Sequence, residues 1–216
     1  MNQEIETIKK RQSIRLYEQK PVPKEIIKKI IDAGNLAPST GDEKIVEKDG
    51  KKTKITNYQP WRFVVVENPE FKQKLFQTID PIRENFFESM KMTMPEMYAQ
   101  GMRLMEVMDE PKDLVFYFAP VILYVIGPAK NNIGCAMVCE NIMLAAVSLG
   151  LGSCYVGFGA MVTHNPDIVQ TLGLKDGERI YGPILLGYPK ENPSERQVRT
   201  FAELRQKKKE PIIKWV

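Results

Sequence analysis

The chain has 216 residues, of which 43% are hydrophobic and 27% are charged. This size and composition indicate one soluble globular domain that is large enough to bury its own core. The net charge of +4 is spread along the chain, so no basic block indicates nucleic-acid binding. Because no apolar run at the amino terminus has the form of a signal peptide and no stretch is a clear membrane span, we expect a cytoplasmic protein without a membrane partner.

A basic motif follows the first predicted helix, which covers residues 2–10. If the next segment is extended, its period of two places Arg11, Ser13 and Arg15 on one face, whereas a helix would spread them over about 200°. Two guanidinium groups beside a hydroxyl group form a good site for an anion. The alternative is a solvated basic segment, since Lys9 and Lys10 precede the motif.

A second helix is predicted after Pro23, and Gly34 and Asn35 end it. The strongly polar interval at residues 41–56 then has two β-prone runs on either side of Asp49-Gly50. Because this dipeptide favours a tight turn, we predict a protruding hairpin, with a disordered surface loop as the alternative.

The next stretch combines two amides with a strand. Asn57 and Gln59 precede a β-branched run that ends near Val66, and amides at a strand edge can pair with the edge of a heterocycle. A helix is predicted from Pro69 to about residue 78.

A methionine-rich segment occupies residues 86–108, where apolar residues recur at the helical interval and Pro95 interrupts the pattern. The adaptable methionine side chains suit the wall of a pocket. A helix that simply faces the core is the alternative.

The chain is organised around a predicted helix within residues 131–151, which is apolar almost all round and must therefore be buried on nearly every side. Its small residues, including Cys135, Ala136 and Ala146, would let a second helix approach closely, and the same helix of another subunit is one candidate. Predicted strands at residues 120–126, 153–159 and 180–186 alternate with helices, which indicates an α/β or α+β layer fold.

The carboxyl-terminal region begins with residues 192–199, which include Arg196 and Arg199, and a charged helix is predicted from there to Lys209. Residues 211–216 are too apolar for a free tail. We therefore expect them to pack against another surface, with an added strand on a partner subunit as one candidate.

The sequence argues against several kinds of catalytic site. Its three cysteines lack CxxC spacing and neighbouring histidines, so core packing fits them better than disulfides or zinc. The glycines at 150–152 and 157–159 do not continue into a dinucleotide fingerprint. His164 is the only histidine and lies in a polar turn, which leaves no Ser-His-Asp triad and no HExxH metal site. An enzyme with this sequence would take its chemistry from a cofactor.

Six motifs carry a family resemblance and occur in family order. They are Arg11-x-Ser13-x-Arg15, Ala37-Pro38-Ser39, Asn57-x-Gln59-Pro60-Trp61-x-Phe63, Ala119-Pro120-Val121-Ile122, Glu140-Asn141-x-x-Leu144-Ala145-Ala146-x-x-Leu149-Gly150-Leu151-Gly152, and Gly187-x-Pro189. As a set, they resemble the FMN-dependent nitroreductase superfamily over roughly residues 4 to 200.

The resemblance implies an α+β, nitroreductase-like three-layer fold. In it, a central, mostly antiparallel sheet is flanked by helices, and the long central helix lies at a dimer interface. It also implies a single FMN-binding domain over residues 1–216, with an inserted hairpin at 41–56 and a carboxyl-terminal extension at 200–216. The expected assembly is a homodimer with two FMN sites at its interface.

The resemblance also suggests which residues bind FMN. Arg11 and Ser13 would hold the phosphate, helped by Arg199 and less directly by Arg196, and Arg15 would approach the pyrimidine edge of the flavin. Ser39, Asn57 and Gln59 would form hydrogen bonds to the flavin or its ribityl chain, and Pro38 lies beside them in the sequence as a further binding residue. The backbone of four residues would line the dimethylbenzene or N5 side of the flavin, and they are Tyr155, Val156, Gly157 and Phe158.

The implied activity is hydride transfer from NAD(P)H through flavin N5 to nitroaromatic, quinone or similar electron-poor acceptors, with ping-pong kinetics. No protein side chain is expected to be catalytic and no metal is expected. The alternatives are a reductive dehalogenase or flavin-fragmenting branch of the same superfamily, and a redox sensor whose flavin turns over slowly.

The chain departs from the family pattern at residues 41–56, because family members commonly join the two motifs on either side of this interval within a few residues. We predict that the inserted hairpin and the methionine-rich segment border the mouth of the active site.

Overall fold

A four-stranded antiparallel sheet forms the centre of the computed structural model, which describes residues 2–39, 43–56, 59–108, 113–130, 133–204 and 211–215. Two other strands, β1 (Glu43–Lys48) and β2 (Lys51–Thr56), form a separate hairpin. The sheet contains β3 (Arg62–Val66), β4 (Val121–Pro128), β5 (Gly152–Tyr155) and β6 (Glu178–Gly187). The order across it is β3-β4-β6-β5, and every neighbouring pair is antiparallel.

Helices follow or precede each of these strands in the described chain. They are α1 (Gln3–Lys10), α2 (Lys24–Asn35), α3 (Pro69–Thr93), α4 (Pro95–Val107), α5 (Ile133–Ser148), α6 (Pro166–Leu172) and α7 (Glu195–Leu204). A 3₁₀ helix, Gly157–His164, joins β5 to α6.

The side chains of β4 alternate between two cores on opposite faces of the sheet. Odd-numbered residues from 121 to 125 pack in one cluster with Ile30 of α2 and Ile142 of α5. Even-numbered residues from 122 to 126 pack in the other cluster with Ile79 of α3 and Ile168 of α6. The period of two thus gives a helix layer on each face of the sheet, and it confirms the α+β three-layer prediction.

The central helix α5 is partly buried within its own chain. Gly34 of α2 lies so close to it that an added Cβ would be 2.7 Å from Ile142 Cγ1. Among the small residues of α5, Cys135 and Ala146 are buried, whereas Ala136 is exposed beside Ile133. A second helix therefore does approach α5 closely, but through the glycine of α2 against Ile142 and not through the small residues of α5. The part of the prediction that places α5 at a dimer interface stays a prediction.

The hairpin predicted from Asp49-Gly50 is present over residues 43–56, and residues 41 and 42 lie outside the described chain. Asp49 has φ +53° and Gly50 has φ +75°, as a tight two-residue hairpin turn requires. Glu47 stands opposite Lys52 across the strands.

Three element boundaries differ from those predicted. Helix α3 extends to Thr93 instead of ending near residue 78, and it contains Pro81. The packing of Leu75 and Ile79 offsets the hydrogen bond that a proline inside a helix forfeits. Helix α7 begins at Glu195, so the two arginines of its segment lie on it, and residues 205–209 of the predicted helix lie outside the described chain.

Strand β5 ends at Tyr155, although we predicted a strand through residue 159. The N–H of Val156 donates to the carbonyl oxygen of Pro183 (2.9 Å), and the N–H of Gly159 then donates to the carbonyl oxygen of Val156 (3.0 Å). This bond between residues three apart curls the chain into the 3₁₀ helix.

The described residues group into two compact units. The first combines residues 1–83 with 113–191, and the second combines residues 84–112 with 192–216. The prediction of a single domain is not tested by this grouping and stays a prediction. In the second unit, the carboxyl-terminal Ile212 and Trp215 are exposed among the described residues, and the packing expected of this segment stays a prediction. None of the described helices is long and apolar enough to cross a membrane.

Candidate functional site

The segment that carries Arg11, Ser13 and Arg15 is extended and lies along one edge of the sheet. Ser13 forms a parallel bridge with Ser153 of β5, and the N–H of Ile14 donates to the carbonyl oxygen of Ser153 (2.9 Å). Further along, residues 16–18 bond to residues 188–190 through two backbone hydrogen bonds of 2.9 and 3.1 Å. The sheet therefore holds the motif at both ends.

Two glycines let this segment approach the sheet closely. A Cβ added at Gly152 would lie 2.8 Å from Ile14 Cγ1, and a Cβ added at Gly187 would lie 2.9 Å from Tyr17 Cδ1. Real Cβ atoms do not approach neighbouring atoms so closely. These contacts give a physical reason for the glycines in two of the motifs.

The three polar residues of the motif all lie near the thiol of Cys154. Each of them interacts with the Cys154 thiol: Ser13 through a hydrogen bond, and Arg15 and Arg11 through their charges. Burial raises the pKa of the Cys154 thiol, although these three groups act in the opposite direction. The expectation from a period of two, that all three share a face, stays a prediction.

The two guanidinium groups have different surroundings. Arg11 is half-buried, and its Nε atom lies 3.9 Å from a carboxylate oxygen of Glu140 on α5, which is the outer limit of an ion pair. Arg15 lies against Tyr117, with its Cζ atom 5.8 Å from the ring centroid, and its guanidinium group also interacts with the Tyr117 hydroxyl group. Tyr17 lies in the same environment and is buried. A cation over an aromatic face is attracted by it.

A tight turn at residues 113–118 holds Tyr117 in this position. The Asp113 carboxylate is buried and accepts hydrogen bonds from the N–H groups of Val115 (3.0 Å), Phe116 (2.7 Å) and Phe118 (3.2 Å). Burial raises the pKa of the Asp113 carboxyl group, and these N–H groups oppose the shift. The sequence patterns do not point to Asp113. The available signal is an isolated acid before a strongly apolar run, since aspartate commonly bonds to backbone N–H groups two and three residues later.

The next predicted site residues lie at the end of α2 and before β3. Ser39 is buried and Pro38 is exposed. Gln59 donates through Nε2 to the carbonyl oxygen of Asn35 (2.5 Å), and Trp61 donates through Nε1 to Asn35 Oδ1 (2.9 Å). The Gln59 amide is thus tied to the end of α2 in this structure, while Asn57 lies outside the described residues.

Residues Tyr155 to Phe158 form the end of β5 and the start of the 3₁₀ helix. The Tyr155 side chain is about half exposed, at 46%. The Val156 N–H donates to Pro183, so in this structure it contributes to the fold. Their predicted contact with a flavin stays a prediction.

Arg196 and Arg199 belong to the second unit, apart from the other predicted residues. Arg196 Nη2 lies 2.7 Å from Glu106 Oε2, with both side chains largely exposed, and Arg199 is also exposed. Between them, the buried Gln197 donates to the carbonyl oxygen of Val107 (2.9 Å) and fixes α7 on α4. Their predicted role at a phosphate stays a prediction.

A shallow groove of about 550 Å³ runs beside α5 in the first unit. It is lined by Ile133, Ala136, Met137, Glu140, Tyr155, Arg179 and Tyr181. Arg179 lies over the ring of Tyr181, 4.6 Å from its centroid. Four of the lining residues come from the exposed side of the most apolar helix, which makes this an accessible, partly apolar surface.

Among the residues that the structure describes, no three His, Cys, Asp or Glu side chains are grouped so as to hold a metal ion.

The buried Ser153 hydroxyl group lies directly across the bridge from Ser13 and lacks a hydrogen-bond partner within the described ranges. An anion bound at Ser13 would meet hydroxyl and guanidinium donors on one face. The arrangement can therefore bind a phosphate-like group and place a second cation, Arg15, farther along the same ligand.

Comparisons with known proteins show which family the chain belongs to. A model of the nitroreductase family matches residues 8–188. A protein of Methanothermobacter thermautotrophicus, provisionally named an NADH dehydrogenase/NAD(P)H nitroreductase, is 29% identical over 194 residues, which are 90% of this chain and 81% of that protein. Iodotyrosine deiodinase 1 of Rattus norvegicus is 27% identical over 192 residues, or 85% of this chain and 61% of that protein. The structure of a Bacteroides fragilis nitroreductase with bound FMN has a TM-score of 0.63 at 24% identity, with 100% of both chains covered. Because the family model spans most of its length, the chain belongs to the nitroreductase family.

Proposed function

We propose that the protein is an FMN-dependent oxidoreductase that transfers hydride from NAD(P)H to nitroaromatic, quinone or similar electron-poor acceptors by a ping-pong mechanism. The observation that carries this proposal is the extended motif on the sheet edge, where Ser13 bridges to Ser153 and the groups of Arg11, Ser13 and Arg15 lie near Cys154. Family membership and the name of the archaeal relative support it.

The residues present fit FMN. Arg11 and Ser13 would hold its phosphate. The nearby Ser153 hydroxyl group is buried without a partner among the described residues, so it would donate a further hydrogen bond. Glu140 is the ion-pair neighbour of Arg11 at 3.9 Å, so a phosphate would compete with a weak contact. Arg199 and Arg196 would complete the phosphate site.

Arg15 would hold the pyrimidine edge of the flavin, where reduction places negative charge. When bound, FMN supplies the hydride chemistry that the side chains of this protein lack. Two unit charges about 4 Å apart at an effective dielectric constant of about 20 interact by about 4 kcal/mol. For a two-electron couple, that energy corresponds to about 90 mV. Arg15 is therefore a residue that favours the reduced cofactor.

No side chain near the motif is needed as an acid or base in this proposal. His164 lies in the 3₁₀ helix, with Nδ1 2.8 Å from the carbonyl oxygen of Met161. Its ring is therefore engaged by the backbone of its own helix. The role of the protein is to bind, orient and shield.

The proposed assembly is a cytoplasmic homodimer that uses the exposed side of α5. Ile133 on that side is 61% exposed, which is unusual for an apolar side chain of so apolar a helix. A partner copy would cover it and could also cover the exposed carboxyl-terminal segment. The hairpin at residues 43–56 would then border the entrance for the acceptor.

A second candidate is a reductive dehalogenase, and the similarity to iodotyrosine deiodinase 1 favours it. The two candidates share the flavin and differ in the acceptor.

The test is the absorption spectrum of the purified protein under anaerobic conditions. Bound FMN that NAD(P)H bleaches, and that a nitroaromatic or quinone then restores over many turnovers, supports the proposed function. Loss of halide from an aromatic substrate with dithionite-reduced flavin, without reduction by NAD(P)H, would favour the dehalogenase. A protein that binds no FMN when the cofactor is in excess would refute both.

A further inference from the structure

We propose that Asp113 is a positioning residue for the cofactor site: its carboxylate holds the turn at residues 113–118 in a left-handed conformation that keeps Tyr117 against Arg15. The guanidinium group of Arg15 is thereby oriented before a ligand arrives. The inference deepens the proposed function, because it concerns the same site and rests on the role of Arg15 there.

The first support is the hydrogen bonding of Asp113. The residue is 4% exposed, and its two oxygens accept three backbone N–H groups within five residues. Oδ1 accepts from Val115 and Phe116, while Oδ2 accepts from Phe118. A carboxylate is the side chain that can accept on both oxygens, whereas an asparagine has one acceptor and one donor.

The second support is the backbone conformation that these bonds hold. Tyr117 has φ +52° and Phe118 has φ +50°. Two successive large residues in this region are uncommon, because the Cβ atom disfavours it and glycine usually occupies such positions. Residues 113–120, DLVFYFAP, contain no glycine. The hydrogen bonds to the Asp113 carboxylate therefore stabilise positive φ angles that a glycine would adopt without strain.

The third support is that the turn is restrained from outside as well. Gln19 donates to the carbonyl oxygen of Phe118 (3.1 Å). Lys72 donates to the carbonyl oxygens of Ala119 (3.2 Å) and Pro120 (3.0 Å). The turn thus lies between the beginning of β4 and the segment that continues from the basic motif, and contacts from both Gln19 and Lys72 restrain it.

The link to Arg15 is Tyr117. Its ring lies 5.8 Å from Arg15 Cζ, and its hydroxyl group interacts with the same guanidinium. An arginine has several rotatable bonds and loses side-chain entropy when it is fixed. A tyrosine held by the turn restricts the guanidinium in the free protein, so less ordering remains to be done on binding.

The test compares wild type with Asp113→Asn, Tyr117→Phe and Phe118→Gly, and with Asp113→Asn combined with Phe118→Gly. The first readout needs no flavin: the NMR signal of the Arg15 side-chain Nε–H in the flavin-free protein, assigned with Arg15→Ala. The second readout is the dissociation constant of FMN. Ile168→Val, in the buried part of α6, serves as a control for lost stability alone.

We expect Asp113→Asn to move the Arg15 signal and to weaken FMN binding about tenfold. Phe118→Gly in the same chain should restore both, because glycine adopts a positive φ without the carboxylate. Tyr117→Phe, which keeps the turn and removes the hydroxyl group, should move the signal and weaken binding to a smaller extent. In an Arg15→Ala background, Asp113→Asn should have no further effect on FMN binding, since its action passes through Arg15.

The inference is overturned if Asp113→Asn and Tyr117→Phe leave the Arg15 signal unchanged, or if the effects of Asp113→Asn and Arg15→Ala on FMN binding add. It is also overturned if Ile168→Val weakens FMN binding as much as Asp113→Asn does. If Asp113→Asn alone does not fold, the double variant with Phe118→Gly decides the question: a folded protein with the wild-type Arg15 signal supports the inference, and a double variant that also fails to fold overturns it. If wild type binds no FMN, the proposed function fails, while the NMR readout still decides whether the turn orients Arg15.

Discussion

The close contact between Gly152 and the basic motif offers a sharp test of how the site is built. In Gly152→Ala, the new methyl carbon would lie 2.8 Å from Ile14 Cγ1 and 2.9 Å from both Ile14 Cβ and Cγ2. The contacted atoms of Ile14 are its Cβ atom and the two atoms bonded to it. Because this side chain is β-branched and restricted at χ1, a change of rotamer cannot move these atoms away from the new methyl group. The segment from Arg11 to Arg15 must therefore move off the sheet.

The expected cost follows from overpacking, which typically destabilises a fold by about 1–3 kcal/mol. Displacing the motif should in addition weaken FMN binding by about tenfold or more, equivalent to about 1.4 kcal/mol per factor of ten. Gly127→Ala is the matched control, because its methyl carbon would meet Cys135 Sγ at 2.5 Å in the core, away from the motif.

The assays are thermal unfolding of the flavin-free proteins and fluorescence titration with FMN. Both variants should lose stability, and only Gly152→Ala should lose affinity beyond what its stability explains. If Gly152→Ala binds FMN as wild type does while it is as destabilised as Gly127→Ala, the motif does not form the cofactor site.

Three further predictions concern charge and the inserted hairpin. Arg15→Ala should lower the flavin reduction potential by up to about 90 mV and weaken FMN retention; an unchanged potential at full occupancy, measured with redox dyes, would remove Arg15 from the site. A hydrogen bond from Arg62 lowers the pKa of Glu178, so its stabilisation is present above the unfolded value of about 4.3 and is lost as pH falls through the lower folded value. Glu178→Gln should therefore be less stable than wild type at pH 7 by about 1–2 kcal/mol and should lose less stability on acidification. The measurement is the free energy of unfolding in urea at several pH values from 6 to 3. The same decrease with falling pH in both proteins would contradict the predicted role of Glu178. Deleting residues 41–56 should change acceptor preference in steady-state kinetics more than FMN affinity, and loss of all bound flavin would speak against that placement.

The local patterns of the sequence predict much of the fold because they depend on neighbours along the chain. A period of two is enough to place Arg11, Ser13 and Arg15 together, and Asp49-Gly50 is enough to place the hairpin turn. The continuous apolar run of β4 is likewise enough to predict an interior strand, and in the structure helix layers cover both of its faces. These features follow from backbone geometry and composition.

Other features depend on contacts between distant residues, which a single sequence does not reveal. The end of β5 is set by the hydrogen bond from Val156 to Pro183, far along the chain. Gln59 looks like a ligand-binding amide in the sequence, and in the structure it bonds to Asn35. Asp113 does not stand out in the sequence, since its importance comes from the positive φ angles of Tyr117 and Phe118.

The position of Arg196 and Arg199 illustrates a further limit. Both arginines lie on an exposed helix of the second unit, and Arg196 already has Glu106 as an ionic partner. Their contribution is measurable by FMN titration of Arg196→Ala and Arg199→Ala. We predict that Arg199→Ala weakens binding more, since Arg196 is engaged by a carboxylate.

The most direct test of the central claim is to add NAD(P)H to the purified protein, loaded with FMN and kept free of oxygen, and to follow the flavin absorption. We predict one FMN per chain, bleaching by NAD(P)H and recovery when a quinone or nitroaromatic is added. A protein that takes up no FMN at any concentration tested would contradict it.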